Sequence, residues 1–390
     1  MKSTQCFKHI KPAKIIATAP ALSELIHQLS SARVIGVDTE SNSLYAYQER
    51  VCLIQLTAYC DDGSRTVKCD FIVDPLALDD LSELQLLFDN PEIELIFHAA
   101  EYDIMSLRRD FGFTFGRIFD TYVAARTLGW SKVSLRYLID TYFGVQVDKR
   151  FQQADWSRRP LPPDQLCYAQ MDTHFLPELR DLLFDELEAA GYVEEAYEYF
   201  DAVAEVEAAQ RRFDPEAFWR IRTPREFDGQ EWAILRELYL WRENTAEERD
   251  HPPFKIMRDS VLVLIAATQP DDLDALAEIK GISQRIVHQF GAAILAAIQR
   301  GRRQPPPQYT PHPSPDPQIL SRYDSLHRWR KQKALARGVE SDIILPRTAL
   351  WALAHQKPTT LMELEDIPEI GPYRRQQYAA ELLEFMRNMH

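Results

Sequence analysis

The C-terminal half of this chain repeats itself at an offset of 88 residues. Trp241-Arg242 recurs as Trp329-Arg330, Ile256 as Ile344 and Pro270 as Pro358, without a gap. The same step carries Leu273, Leu276, Ile279 and Ile282 onto Leu361, Leu364, Ile367 and Ile370, and Leu295 onto Leu383. Two copies do not make a solenoid, so the pattern predicts two small all-α domains related by duplication, over residues 229–301 and 319–390. The spacer QPPPQYTPHPSPDP (304–317), within a linker spanning 302–318, is expected to be extended and semi-rigid. Trp241 and Trp329 are expected to belong to the two small cores. What remains, residues 1–212, must fold around a core of its own.

That N-terminal part alternates strand-like and helix-like stretches. A short strand and a helix opened by Ser23-Glu24 occupy 14–30; Val34, Ile35 and Val37 then form the apolar run of a strand buried on both faces. VCLIQLTAY (51–59), FIVD (71–74, stopped by Pro75) and ELIFHA (94–99) read as further strands, and 79–89 as a helix. Helices are expected over the segment that carries Asp103, over about 120–128, over 163–188 with a possible kink at Pro177, and over 192–212. From about residue 115 the pattern is almost wholly helical. The alternation predicts an α/β layer fold, a sheet flanked by helices.

Three short stretches carry the chemistry. The first strand ends in Asp38 and Glu40, spaced i, i+2 and so pointing to one side. Carboxylates held that close in a dry place repel one another, and a hard divalent cation that prefers oxygen ligands relieves the repulsion. Asp103 follows in IFHAAEYDIMSL, and Tyr168 and Asp172, one helical turn apart, in CYAQMDTHFLPEL. Four carboxylates and a tyrosine fit metal-dependent phosphodiester cleavage. In such a site two cations about 3.5–4 Å apart clamp the scissile phosphate, and the phenol can hydrogen-bond the attacking water. Each residue also has a plain alternative: a solvated strand end for Asp38 and Glu40, a solvated helix position for Asp103, a core aromatic for Tyr168.

The stretches VDTE, HAAEYD and YAQMD resemble the three exonuclease motifs of the DEDD superfamily, in its tyrosine-bearing branch. The two repeats resemble paired HRDC domains. This order, with DWSRRPL (155–161) ahead of the third motif, is similar to that of the bacterial ribonuclease D family, over essentially the whole chain. The resemblance implies an RNase H-like exonuclease domain with a mixed sheet, and 3′–5′ exoribonuclease activity releasing 5′-mononucleotides. It implies tRNA precursors and other small structured RNAs as substrates. It further implies two Mg2+ or Mn2+ ions on Asp38, Glu40, Asp103 and Asp172, Asp38 touching both, and Tyr168 positioning the water. Lys149 is a candidate phosphate contact, with a solvated lysine as its alternative. Gln170-Met171 depart from the alanines often found before the last aspartate; no loss of activity is expected from this, and the bulk can alter the packing of that helix. A DNA-directed exonuclease of the same fold and a catalytically silent RNA-binding protein are the rival readings.

The net charge of −14 excludes a protein coated in basic surface, so nucleic-acid contact must come from local patches. Arg328 to Lys333 with Arg337 is one such basic run, and ordinary solvated surface is its alternative. The five cysteines form no CxxC pair and read as reduced thiols of a cytoplasmic protein. No segment approaches membrane-spanning length, no secretory signal is visible, and a monomer is the expected state.

Overall fold

The computed structural model describes residues 10–61, 65–148, 150–208, 213–310 and 315–388. Its sheet has six strands: β1 (Lys14–Ile16), β2 (Val34–Ser41), β3 (Val51–Asp61), β4 (Thr66–Val73), β5 (Glu94–Phe97) and β6 (Arg117–Asp120). They lie in the order β1-β4-β3-β2-β5-β6. β2 pairs antiparallel with β3, and β3 with β4; β1–β4, β2–β5 and β5–β6 are parallel, so the sheet is mixed. The strand β6 interrupts the stretch expected to be helical. Only the four residues RIFD form it, too few for a period of two to stand out.

Helices α1 (Ala19–Leu29), α2 (Gln85–Phe88), α3 (Glu101–Phe111), α4 (Thr121–Thr127), α5 (Leu135–Phe143), α6 (Pro163–His174), α7 (Leu176–Ala190) and α8 (Val193–Ala204) surround the sheet. Helix α1 starts four residues ahead of Ser23, because Thr18 takes the N-cap and accepts from the Ala21 N–H. The helix expected over 163–188 is two helices broken at Phe175, not one helix kinked at Pro177. Pro177 sits in the first turn of α7, where its missing N–H costs nothing. Strand residues Ile35, Val37, Leu56, Leu95 and Ile96 and helix residues Leu25, Ile104, Leu179 and Leu183 are all at most 1% exposed and share one core. Cys52, Cys60 and Cys69 are not in disulfides.

The chain divides into two compact units. One contains Met1–Ser41, Val51–Ala209 and Ser314–His390; the other contains Asn42–Arg50 and Gln210–Pro313. In the second unit, α9 (Gly229–Glu248), α10 (Pro253–Ile256), α11 (Asp259–Thr268), α12 (Leu273–Ala277) and α13 (Gln284–Arg303) enclose their own core, with Trp241 8% exposed. The 42–50 loop is fastened within this unit: Tyr47 Oη donates to Glu243 at 2.8 Å and Tyr47 N to Asp250 at 3.0 Å. The front of the proline-rich spacer packs within the same unit, Tyr309 standing edge-on to Trp219, which precedes α9, at 5.2 Å.

The second repeat forms α14 (Pro317–Arg337), α15 (Ser341–Ile344), α16 (Arg347–Gln356), α17 (Leu361–Glu365) and α18 (Pro372–Arg387). Backbone details recur at the sequence offset. Arg242 donates to the Met257 carbonyl and Arg330 to that of Leu345, each at 2.9 Å. Gln269 and Lys357 end α11 and α16 in the left-handed conformation at φ 49° and 48°. This second copy shares its compact unit with the sheet, and ion pairs join the two. Arg374, 3% exposed, pairs with Glu198 on α8; Arg337 pairs with the fully buried Glu195 at 2.6 Å; Arg126 on α4 pairs with Asp342 at 2.6 Å. The basic run is therefore largely occupied: besides Arg330 and Arg337, Lys333 pairs with Glu381 at 2.7 Å.

Candidate active site

β2 brings Asp38 and Glu40 to one face of the sheet, opposite Gln55 and Leu53 of β3. The same face carries Gly36, over which the α6–α7 junction passes. A Cβ at Gly36 would lie 3.1 Å from Leu176 Cβ and 3.2 Å from the Thr173 carbonyl, so only glycine lets the helices come this close. That approach brings in Asp172. One carboxylate oxygen from each of Asp38, Glu40 and Asp172 can be chosen so that all three lie within 4.8 Å of one another, each side chain part-buried.

Asp103 reaches the strand between the first two carboxylates. Its Oδ1 accepts from the Thr39 N–H at 3.0 Å and from Thr39 Oγ1 at 2.5 Å. It stands beside the three-carboxylate group without belonging to it, one oxygen being engaged by Thr39. What aims α3 is the turn after β5. Ala99 takes φ 62°, unusual for a residue with a side chain. The Asp120 carboxylate, 1% exposed, holds that turn by accepting from Ala99 N at 3.0 Å and Ala100 N at 2.8 Å. It also accepts from Tyr122 N and Val123 N, capping α4. Thr39 lies inside the VDTE stretch but carries no signal of this role. A capping bond from Asp120 back to residues 99 and 100 leaves no fixed spacing to find.

The electrostatics of the group follow from crowding like charges away from water. Burial raises the Asp38 carboxyl well above its ordinary range, and Asp103, Asp172 and Glu40 raise it further. Glu40 is raised by burial, then by Asp172 and Asp103. Burial pushes Asp103 up to about 7 against the bonds from Thr39, and burial with Asp103 pushes Asp172 up to about 7. Carboxylates that hold protons this tightly are short of positive charge. All-oxygen donors from two separate elements fit a hard divalent cation.

Tyr168 stands one turn before Asp172 on α6, between two aromatic rings. Phe151 meets it edge-on at 6.0 Å and Trp156 lies tilted against it at 6.0 Å. Burial raises the phenol pKa, and Asp172, Glu40 and Asp38 raise it further, so the group is a neutral hydroxyl near pH 7. The DWSRRPL stretch supplies the second ring and the clamp that holds it. Arg159 binds both oxygens of Asp74 at 2.6 and 2.7 Å and the Cys52 carbonyl at 2.9 Å, while Trp156 is 1% exposed. Lys149 lies outside the described residues.

A mixed sheet whose second strand ends in a carboxylate pair, joined by acidic residues on α3 and α6, is what the resemblance to the DEDD exonucleases leads one to expect. Comparison with known proteins narrows this. The 3′–5′ exonuclease family matches residues 13–188, and the HRDC domain matches 231–298 and again 320–385. Ribonuclease D of Gluconacetobacter diazotrophicus is 31% identical over 95% of this chain and 91% of its own. The exosome complex exonuclease RRP6 of Saccharomyces cerevisiae is 29% identical over 73% of this chain and 40% of its own. Among solved structures, the catalytic core of RRP6 from Trypanosoma brucei superposes with a TM-score of 0.66 at 26% identity, covering 78% of this chain and 83% of that one. RNase D of Escherichia coli shares the fold with a TM-score of 0.64 at 23% identity, over 97% and 99% of the two chains. The chain belongs to the ribonuclease D family, a family of 3′–5′ exoribonucleases.

Proposed function

We propose that this protein shortens RNA from its 3′ end by hydrolysis, releasing 5′-mononucleotides, with Asp38, Glu40, Asp103, Tyr168 and Asp172 as its working residues. The observation that carries the reading is the convergence of Asp38, Glu40 and Asp172 oxygens within 4.8 Å. Asp38, Glu40, Asp103 and Asp172 would hold two divalent ions, Mg2+ or Mn2+. When bound, such ions supply Lewis-acid stabilisation of phosphate charge and a more acidic water. The chain's own groups do the remaining work. The carboxylates would hold the ions against which the scissile phosphate binds, and the neutral Tyr168 hydroxyl, held by Phe151 and Trp156, hydrogen-bonds and orients the attacking water.

The substrate class in this reading is tRNA precursors and other small structured RNAs, handled by a cytoplasmic monomer. None of the described helices is long and apolar enough to cross a membrane. The test uses matched single-stranded RNA and DNA oligomers with Mg2+. Asp38→Asn is expected to abolish hydrolysis and Tyr168→Phe to reduce it severely, each with RNA binding kept. Equal activity of both variants and the parent refutes the site. Faster loss of the DNA strand refutes the choice of RNA, and no hydrolysis of either strand by the parent refutes the enzyme.

A further inference from the structure

Asp172 and Tyr168 face the carboxylate pair only if α6 has the right rotation and the right axial position. Part of this is set by apolar packing: Leu166, Tyr168 and Ala169 share a small cluster with Cys52, Leu53, Ile72 and Trp156, and Met171 packs with Ile139 and Val147. The helix's N-cap is Pro162, with no side-chain cap bond, and its buried residues are Ala169, Gln170, Met171 and Thr173, only two of them apolar. Such packing is non-directional, so it fixes the rotation of the helix less sharply than hydrogen bonds do. The face opposite Asp172 is polar and buried instead, and its side chains meet one group, the carboxylate of Asp70 on β4.

Asp70, whose side chain is 6% exposed, accepts from Gln170 Nε2 at 2.6 Å, and the same oxygen lies 2.8 Å from His174 Nδ1. Its other oxygen accepts from Thr57 Oγ1 at 2.7 Å, and that hydroxyl stands 2.8 Å from Thr173 Oγ1. Gln170 continues outward, its amide donating to the Lys11 carbonyl at 2.8 Å and its oxygen accepting from Ala13 N at 3.2 Å. Lys68, also on β4, donates to the His174 carbonyl at 3.0 Å at the end of the helix. Burial alone would raise the Asp70 carboxyl; hydrogen bonds from His174, Thr57 and Gln170 outweigh it and hold the group below its ordinary range. Gln170, Thr173 and His174 are spaced i, i+3, i+4, one stripe of the helix, and Asp172 points away from it. A turn of one residue about the axis, 100°, would break every bond of the stripe and swing Asp172 out of the carboxylate group.

We propose that Asp70 is a positioning residue for the hydrolytic reaction: by gathering Gln170, His174 and, through Thr57, Thr173, it sets the register of α6 and so delivers Asp172 and Tyr168 to Asp38 and Glu40. The glutamine in YAQMD, an apparent departure from a small residue, is one arm of this tie. The proposal rests on the metal-site reading above, and the experiment separates the two. Mn2+ binding is measured by the loss of free-ion EPR signal for the full chain, for Asp70→Asn, for Gln170→Ala and for Asp38→Asn as control. Turnover of a labelled RNA oligomer and thermal melting are measured alongside.

Asp70→Asn is expected to raise half-saturating Mn2+ by about tenfold and lower kcat by about 10- to 100-fold, with KM for RNA changed less than about threefold, as loss of an outer positioning partner does. Gln170→Ala is expected to move Mn2+ affinity and kcat in the same direction by about three- to tenfold, and it keeps the question open to test if Asp70→Asn does not fold. Excess Mn2+ is expected to restore part of the lost rate. Folded variants that bind Mn2+ and turn over like the parent, at any melting temperature, overturn the proposal and leave Asp70 a purely structural group. If Asp38→Asn itself binds Mn2+ like the parent, the metal-site reading is what fails.

Discussion

Removing divalent ions should make the stability of this fold fall as pH rises. Asp172 keeps its proton to about 7 against an ordinary 3.8, and Asp103 does the same, burial being the first cause in both. Between those two values the folded chain binds more protons than the unfolded one. Its stability is therefore full below about pH 4 and is lost as pH climbs through about 7. For Asp172 the interval converts to about 4 kcal/mol at about 1.36 kcal/mol per pH unit. The carboxyl is part-exposed, and screening by water reduces the figure to about 2 kcal/mol. In a folding unit of this size that is about 4–8 °C in melting temperature. The assay is a thermal melt in EDTA from about pH 4 to about pH 8, for the parent and for Asp172→Asn, repeated with Mg2+. The parent should lose stability over this range in EDTA, the variant should lose less, and Mg2+ should remove the difference in slope by binding the ionised site. A parent curve that is flat in EDTA, or one that falls just as steeply in Asp172→Asn, refutes the reasoning.

Two further outcomes are expected. Gly36→Val puts carbon where Leu176 Cβ and the Thr173 carbonyl lie 3.1 and 3.2 Å away; a melt should show a loss of about 1–3 kcal/mol, with turnover falling as Asp172 is pushed off the strand. Glu198→Gln leaves Arg374, 3% exposed, without its counter-charge; calorimetry should show a loss of about 3–5 kcal/mol and an early transition for α14–α18. An unchanged thermogram would mean that the ion pair contributes nothing to holding that bundle.

The parts of the site that were legible in the sequence are those with a period. Asp38 and Glu40 alternate with Val37 and Thr39 on β2, and Tyr168 and Asp172 are a helical turn apart, so their faces could be assigned before any coordinates. The 88-residue offset was equally plain, because each copy must fill the same small core. What was not legible depends on contacts between segments far apart in the chain. Asp120 holds Ala99 and Ala100 from the far end of β6, and Asp70 holds α6 across about a hundred residues. Neither has a spacing rule. The break at Phe175 was hidden because Leu176, Leu179 and Leu183 continue an apolar stripe that a single helix would show as well. The fate of the basic run was hidden for the same reason: Glu195, the partner of Arg337, lies 142 positions earlier.

Arg249 and Arg337 occupy the same place in the two copies of the duplicated bundle. The guanidinium of Arg249 lies 4.6 Å from the centre of the Phe290 ring in its own copy, whereas that of Arg337 reaches out to Glu195. Where the second copy has Arg374 and Asp342, the first has Ile286 and Phe254, the latter 50% exposed. Exchanging the two bundles in the gene would therefore not be neutral, although their interiors are interchangeable in outline. The transplanted first copy would offer Glu198 and Arg126 no opposite charge. Attachment to the sheet is written in a few outward-facing positions, and at two of them, Ile286 and Phe254, the sister bundle carries an apolar side chain in place of the charge.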